Sequence, residues 1–138
     1  LSHKGKQIRF IDNCQQELSV IGDKQKLLQV LVILLSNACD ASSEGSTVTI
    51  GCKIQDNTTE LSIQDSGHGI DEKIIGRIFD PFFTTKLAGE GTGLGLSLAY
   101  NIIKEHDGNI TVNSHPDQGA EFIIRLPSPK NRPAQQSE

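Results

Sequence analysis

Residues 24–42 read KQKLLQVLVILLSNACDAS, and the reading of this run decides the fold. It is too long for a strand and apolar around most of its circumference. That describes a helix buried against a sheet and running to about Ala41. Gly22-Asp23 punctuates the chain just before it, and Asp23 is suited to cap the first turn. Toward the N-terminus, QIRFIDN (residues 7–13) alternates apolar and polar side chains and reads as a strand, with Glu17 to Ile21 as a second short one. Toward the C-terminus, SSEGS is a loop. Thr47 to Gln55 and Glu60 to Asp65 then read as strands joined at Asp56-Asn57, a hairpin turn. A short helix is expected around Glu72 to Ile78, then a long glycine-rich loop from about Phe79 to Gly95.

Helical spacing returns from Leu94 to His106, where Leu94, Leu98 and Ile102 fall four apart, and Gly108 serves as the stop. Asn109 to Ser114 and Glu121 to Leu126 close the pattern as strands around the turn PDQG. The order predicts an α+β two-layer sandwich: a mixed, mostly antiparallel sheet with about three helices on one face. Residues 1–127 form the expected domain, and the polar, proline-rich residues 128–138 a disordered tail.

The chain has 138 residues, 36% hydrophobic and 22% charged, enough for one core without disulfides or a structural metal. A net charge of −4 with no basic cluster argues against a nucleic-acid surface. The longest apolar stretch, Leu27 to Leu35, is interrupted by Gln29 and falls short of a spanning helix of ~20 residues, so no membrane contact by this segment is expected. LSHKGKQIRF has no apolar h-region, so no signal peptide is expected, and the start at Leu1 in place of Met suggests a fragment of a longer polypeptide. Cys14, Cys39 and Cys52 are expected as reduced, buried thiols, since neither they nor the four histidines follow zinc-ligand spacing.

Four segments carry polar groups suited to chemistry. Asn37 shares a helix face with Ile33 and Asp40 by i, i+4, i+7 spacing. Its amide must find a partner, either nearby backbone or a hard cation that takes few protein ligands. Asp65-Ser66-Gly67-His68-Gly69 ends a strand; a carboxylate there can accept from an exocyclic amine, with glycines admitting a flat base, or the segment is an ordinary turn. Phe79-Asp80-Pro81-Phe82-Phe83-Thr84-Thr85-Lys86 concentrates three rings that anchor the long loop or fill the core edge. Beyond them Lys86 either reaches an anion as a point charge or stays solvated. Gly89 to Leu96 (GEGTGLGL) opens a helix, where backbone N–H groups bind phosphate, unless the glycines form a hinge. It matches neither the dinucleotide fingerprint nor the P-loop pattern.

In order and spacing the four segments resemble the catalytic domain of sensor histidine kinases, in the ATPase superfamily shared with gyrase, a heat-shock chaperone and mismatch-repair proteins. Asn37 is similar to the N box; Asp65, Gly67 and Gly69 to the DxGxG box; FDPFFTTK to the F box; and GTGLGL to the second glycine box. The wording FFTTK…GEGTGLGLS resembles the nitrogen- and dicarboxylate-sensing subgroup, and the likeness covers roughly residues 7 to 127. The resemblance implies a Bergerat-type fold, ATP and Mg²⁺ as cofactors, and phosphoryl transfer to histidine. Asn37 would be the Mg²⁺ ligand, acting in catalysis with Lys86, and Asp65 would take the adenine amine. Asp40, Ala41, Gly67, Gly69, Ile70, Phe79, Thr85, Lys86, Gly91, Thr92, Gly93, Leu94, Gly95 and Leu96 would complete the nucleotide site, with residues 79 to 93 as a lid.

Two departures stand out. Ile33 occupies a position where many relatives carry Asn, Glu or His, and isoleucine can neither activate water nor bind metal. Asp40 stands where many carry Lys or Arg. None of the four histidines has a phosphoacceptor setting, so the acceptor is expected on a histidine-bearing dimerisation domain of the same parent, with a response regulator receiver as the next partner. The expected location is cytoplasmic, with the parent free to be anchored in the inner membrane. The alternatives are a nucleotide-binding docking module with weak catalysis, which Ile33 and Asp40 favour, and an anti-sigma-factor-type serine kinase, which FDPFFTTK disfavours.

Overall fold

A computed structural model describes residues 2–3, 6–14, 17–83 and 95–129. Two strands of two residues each, β1 (Ser2–His3) and β2 (Lys6–Gln7), pair as a small antiparallel ribbon. The main sheet comprises β3 (Arg9–Asp12), β4 (Thr47–Gln55), β5 (Thr58–Asp65), β6 (Asn109–Ser114) and β7 (Ala120–Pro127) in the order β3-β4-β5-β7-β6. Only the β3–β4 pair is parallel; the other three are antiparallel. A parallel neighbour requires a crossover, and α1 (Lys24–Ala41) supplies it.

The chain therefore leaves the sheet after β3, and residues 17–21, expected as a strand, form none. Their side chains do alternate in exposure, but alternation makes a strand only where a neighbouring backbone is free to pair. Around 72–78 the expected helix reduces to turns and a single 3₁₀ turn, Ile75–Arg77, so the described residues hold two α-helices instead of about three. The segment is too short to gain cooperative α-helical bonds, and it ends where Phe79 enters the core.

Asp23 caps α1 by accepting from the Lys26 N–H at 3.1 Å. At the other end Ser42 Oγ donates to Ala38 O at 2.6 Å. Asp56 and Asn57 both take positive φ, 52° and 68°, the twist a two-residue β4–β5 hairpin demands. α2 (Gly95–Glu105) stops one residue earlier than Gly108 implied: Asp107 takes the left-handed conformation, and Gly108 N–H returns to Ile103 O.

The two α-helices lie on one face of the sheet. Val30, Leu34 and Ala38 of α1 meet Ala99, Ile102 and Ile103 of α2, and both sets close over Val48, Ile63, Phe122 and Ile124. Beyond the expected domain end, Ser128 is still buried and its N–H donates to Asn57 O at 2.9 Å, while residues 130–138 of the proposed tail lie outside the described part.

His106 ties the helix ends together. Its Nε2 accepts from the Asp23 N–H at 3.0 Å while Nδ1 meets Ile102 O at 2.7 Å. The first bond needs a lone pair on Nε2 and the second a proton on Nδ1, so the clasp selects one neutral tautomer. Gly22 has no side chain because a Cβ there would run into this ring.

Candidate functional site

β5 delivers Asp65 to the floor of a cavity of about 870 Å³, within the range of a small-molecule site. One wall is the C-terminal half of α1, where Ile33, Asn37 and Asp40 line the space together as their helical spacing predicted. The start of α2, Gly95 and Leu96, closes the opposite end.

Asp65 is only 5% exposed. Its Oδ1 accepts from Gly67 N–H at 2.8 Å and Ala120 N–H at 3.2 Å, while Oδ2 takes no bond from any described donor. Burial pushes its carboxyl above the usual range; the two backbone bonds and the nearby His68 charge pull the other way without cancelling it. The result is a carboxylate held rigidly by one oxygen, with the other open to a ligand donor.

The glycines around it serve close approach. A Cβ on Gly67 would strike the Ala41 carbonyl oxygen. Gly69 sits at φ 74°, and a Cβ there would strike His115 O. Gly67 thus presses the Asp65 turn onto the end of α1, and Gly69 presses it onto the β6–β7 turn. Ser114 fastens the second contact: its Oγ accepts from Ile70 N–H at 2.7 Å and donates to Gly119 O at 2.8 Å. Asp117 N–H adds a bond to His68 O at 2.7 Å.

The three rings of FDPFF have three fates. Phe79 is not among the cavity-lining residues; it packs 5.5 Å from the Tyr100 ring and edge-on at 6.2 Å to Phe122, whose other side forms part of the wall. Phe83 lines the cavity with Arg77 over its ring at 5.0 Å, and Phe82 is 74% exposed at a positive φ of 68°. Thus Asn37, Asp40, Ala41, Asp65, Gly69, Ile70, Gly95 and Leu96 come together around one space. Gly67 supports it from behind, and Thr85, Lys86, Gly91, Thr92, Gly93 and Leu94 lie outside the described residues.

Sequence reasoning did not single out His68, Asp71, Ile74, Ile78 and Phe83 as cavity residues, nor Ser114 and the Ala120 N–H as supports. Phe83 was within the quoted ring cluster, His68 stood inside DSGHG, where it reads as a turn residue and not a ligand, and Gly119 in PDQG marked the turn; Asp71, Ile74 and Ile78 left no local signal. The described residues hold no group of three or more His, Cys, Asp or Glu able to cage a metal.

Fold and cavity define a small-molecule-binding α+β sandwich with the ligand space between a helix layer and the ends of β5 and β7. Residues 22–130 match the model of the histidine kinase-, DNA gyrase B- and HSP90-like ATPase family, and the chain belongs to that family. It is 44% identical over 122 residues to the signal transduction histidine-protein kinase AtoS of Escherichia coli (strain K12), covering 87% of this chain and 20% of AtoS. The nucleotide-free catalytic domain of histidine kinase ThkA superposes with a TM-score of 0.79 at 36% identity, over 91% of this chain and 82% of that one. Full-length ShkA in complex with AMPPNP gives 0.77 at 26% identity, over 88% of this chain and 26% of ShkA. The chain spans about a fifth of the length of the curated relatives it matches.

Proposed function

We propose that this chain holds Mg-ATP and presents the γ-phosphoryl group to a histidine on a separate dimerisation domain of the same parent protein, from which it passes to a response regulator receiver. The observation that carries the reading is Asp65, with Oδ1 fixed by two backbone N–H groups and Oδ2 available at the cavity floor. An open carboxylate oxygen in a low-dielectric floor suits the adenine amino group, and the two glycines that press its turn against neighbouring carbonyls leave the floor shallow enough for a flat base. The AMPPNP complex of ShkA supports a nucleotide as the ligand class.

The opposite end fits a triphosphate. Gly95 and Leu96 at the start of α2 line the cavity and the first turn carries no acidic side chain, so the positive end of the helix dipole favours an anion there. Asn37 offers an oxygen there, and Asp40 lines the same wall. This sparse oxygen set fits Mg²⁺, which keeps phosphates and water as most of its ligands; bound there it would neutralise developing charge. Transfer then depends on positioning, with Asn37 and Lys86 as the contributing side chains. The incoming nucleophile is an imidazole nitrogen, and none of this chain's histidines has the setting of one. For location, we propose the cytoplasm, where the ATP this reading requires is held; none of the described helices is long and apolar enough to cross a membrane.

Calorimetric titration with Mg-ATP and with a non-hydrolysable analogue tests the site. Asp65→Asn should weaken both, and unchanged affinity would sink the adenine assignment. Adding a histidine-bearing dimerisation domain to the loaded chain should then produce acid-labile label on that partner and none on this chain. A second reading, a nucleotide-binding docking module, rests on Ile33, whose side chain fills space 3.5 Å from where a Gly95 Cβ would be and supplies no polar group. Tight ATP binding without transfer to any supplied partner domain would favour it.

A further inference from the structure

Far from the cavity, two of the three cysteines are brought side by side. The β3–β4 ladder pairs Phe10 with Val48 and Asp12 with Ile50. The Asn13 N–H extends it one bond further, to Ile50 O at 2.7 Å, so the same register sets Cys14 opposite Cys52. Both follow the even-numbered side chains of their strands and therefore project from the same face. Adjacent strands stand ~5 Å apart, inside the Cα separation a disulfide accepts. The two thiols already hydrogen-bond to each other, and both are partly exposed, whereas Cys39 is buried at 1%.

We propose that Cys14 and Cys52 are a modification site: a vicinal thiol pair that a low-molecular-weight disulfide, of the oxidised-glutathione class, converts reversibly to an intramolecular disulfide across the β3–β4 edge. The Cys52 thiolate attacks one sulfur of the oxidant, forming a mixed disulfide and expelling one thiolate, which takes up a proton. Cys14 then loses its proton to solvent and attacks Cys52 Sγ, expelling the second thiolate. Two protein thiols lose two electrons and two protons, and one small disulfide becomes two small thiols.

The order of attack follows from the surroundings. Burial first, then the hydrogen bond and charge of Cys52, push the Cys14 thiol up to about 12. Cys14 therefore holds its proton while Cys52 reacts. Once Cys52 is a neutral mixed disulfide, its share of that rise is gone, whereas burial, the largest cause, stays and keeps the resolving step slow. Asp12, whose Oδ1 accepts from the Cys14 N–H at 2.8 Å, remains as a brake. Both sulfurs are partly exposed, and accessible disulfides are the reducible ones.

The test treats the folded chain with a series of oxidised-to-reduced glutathione ratios, alkylates the remaining thiols and maps tryptic peptides. Peptide 10–24 carries Cys14, while peptide 27–53 carries both Cys39 and Cys52, so a Cys39→Ser background makes the link unambiguous. In the wild-type chain, fragmentation of the linked peptides assigns the sulfur independently of how that variant folds. The expected result is loss of two of the three alkylatable thiols, a linked pair of these peptides through Cys14 and Cys52, and full recovery with dithiothreitol. Cys14→Ser should instead stop at a stable glutathione adduct on Cys52. A wild-type chain that also stops at that adduct, or that loses thiols through Cys39 or between chains, overturns the proposal.

Discussion

The two ends of the cavity are built by different means. At the Asp65 end nearly every constraint is backbone: two N–H groups on one carboxylate oxygen, two glycines pressed against carbonyls, and a serine stitching one loop to another. At the Asn37 end the wall is a helix face of side chains, with Ile33 and Asp40 beside Asn37 and with Gly95 and Leu96 of α2 lining the same space. Backbone constraints leave few tolerated residues, whereas a helix face can change one side chain without moving its neighbours. The Asp65 end is therefore where substitution should be punished, and the Asn37 end is where this chain has room to differ from its relatives.

The sharpest way to break that contrast is Gly69→Ala. It combines overpacking of roughly 1–3 kcal/mol with a left-handed residue costing roughly 1–2 kcal/mol, so both melting temperature and ATP affinity should fall. A variant with native stability and affinity would mean the close contact with His115 O is not required.

Asp65→Asn comes next and should separate binding from stability. Replacing a charged acceptor should weaken ATP by roughly 1.5–3 kcal/mol, read by calorimetry. Stability should move the other way. Because the folded-state carboxyl titrates above its unfolded value, the empty domain loses stability as pH rises from about 4 through the raised value, and the loss is constant above it. The Asp65→Asn chain should lack that decline, so melting curves across the acid range should show the wild type falling relative to the variant.

Ser114→Ala is smaller. It leaves the Ile70 N–H without its acceptor and should cost about 1 kcal/mol, with a rise in KM for ATP and little change in kcat, and Ser114→Thr should restore it. The smallest effect is expected at the other end. Ile33→Asn should leave stability within ~1 kcal/mol and shift mainly the Mg²⁺ concentration needed for half-maximal ATP binding. If that variant loses more than Gly69→Ala, the contrast between the two ends is reversed.

What the sequence made legible follows the same division. α1, both hairpins and the helical phase of Ile33, Asn37 and Asp40 are local properties, and the structure has them where periodicity and turn chemistry put them. Residues 17–21 misled because pairing depends on a partner strand that no window of sequence contains. The short helix after Glu72 misled because its length was below what isolated helical bonds sustain. Within FDPFF, side-chain type alone could not say which ring enters the core, which lines the cavity and which faces solvent. Of the two N–H groups that hold Asp65, Gly67 lies within the quoted DSGHG, but Ala120 comes from β7, 55 residues away, and leaves no mark near Asp65 itself.

The lone parallel pair also has a meaning in time. β3 can reach β4 only after the chain between them, α1 included, has folded back over the sheet, whereas β4–β5 and β6–β7 close through turns of a few residues. The edge strand should thus dock after both hairpins have closed. In pulse-labelled hydrogen exchange, the amides of Arg9 and Asn13 should gain protection after those of the β4–β5 hairpin.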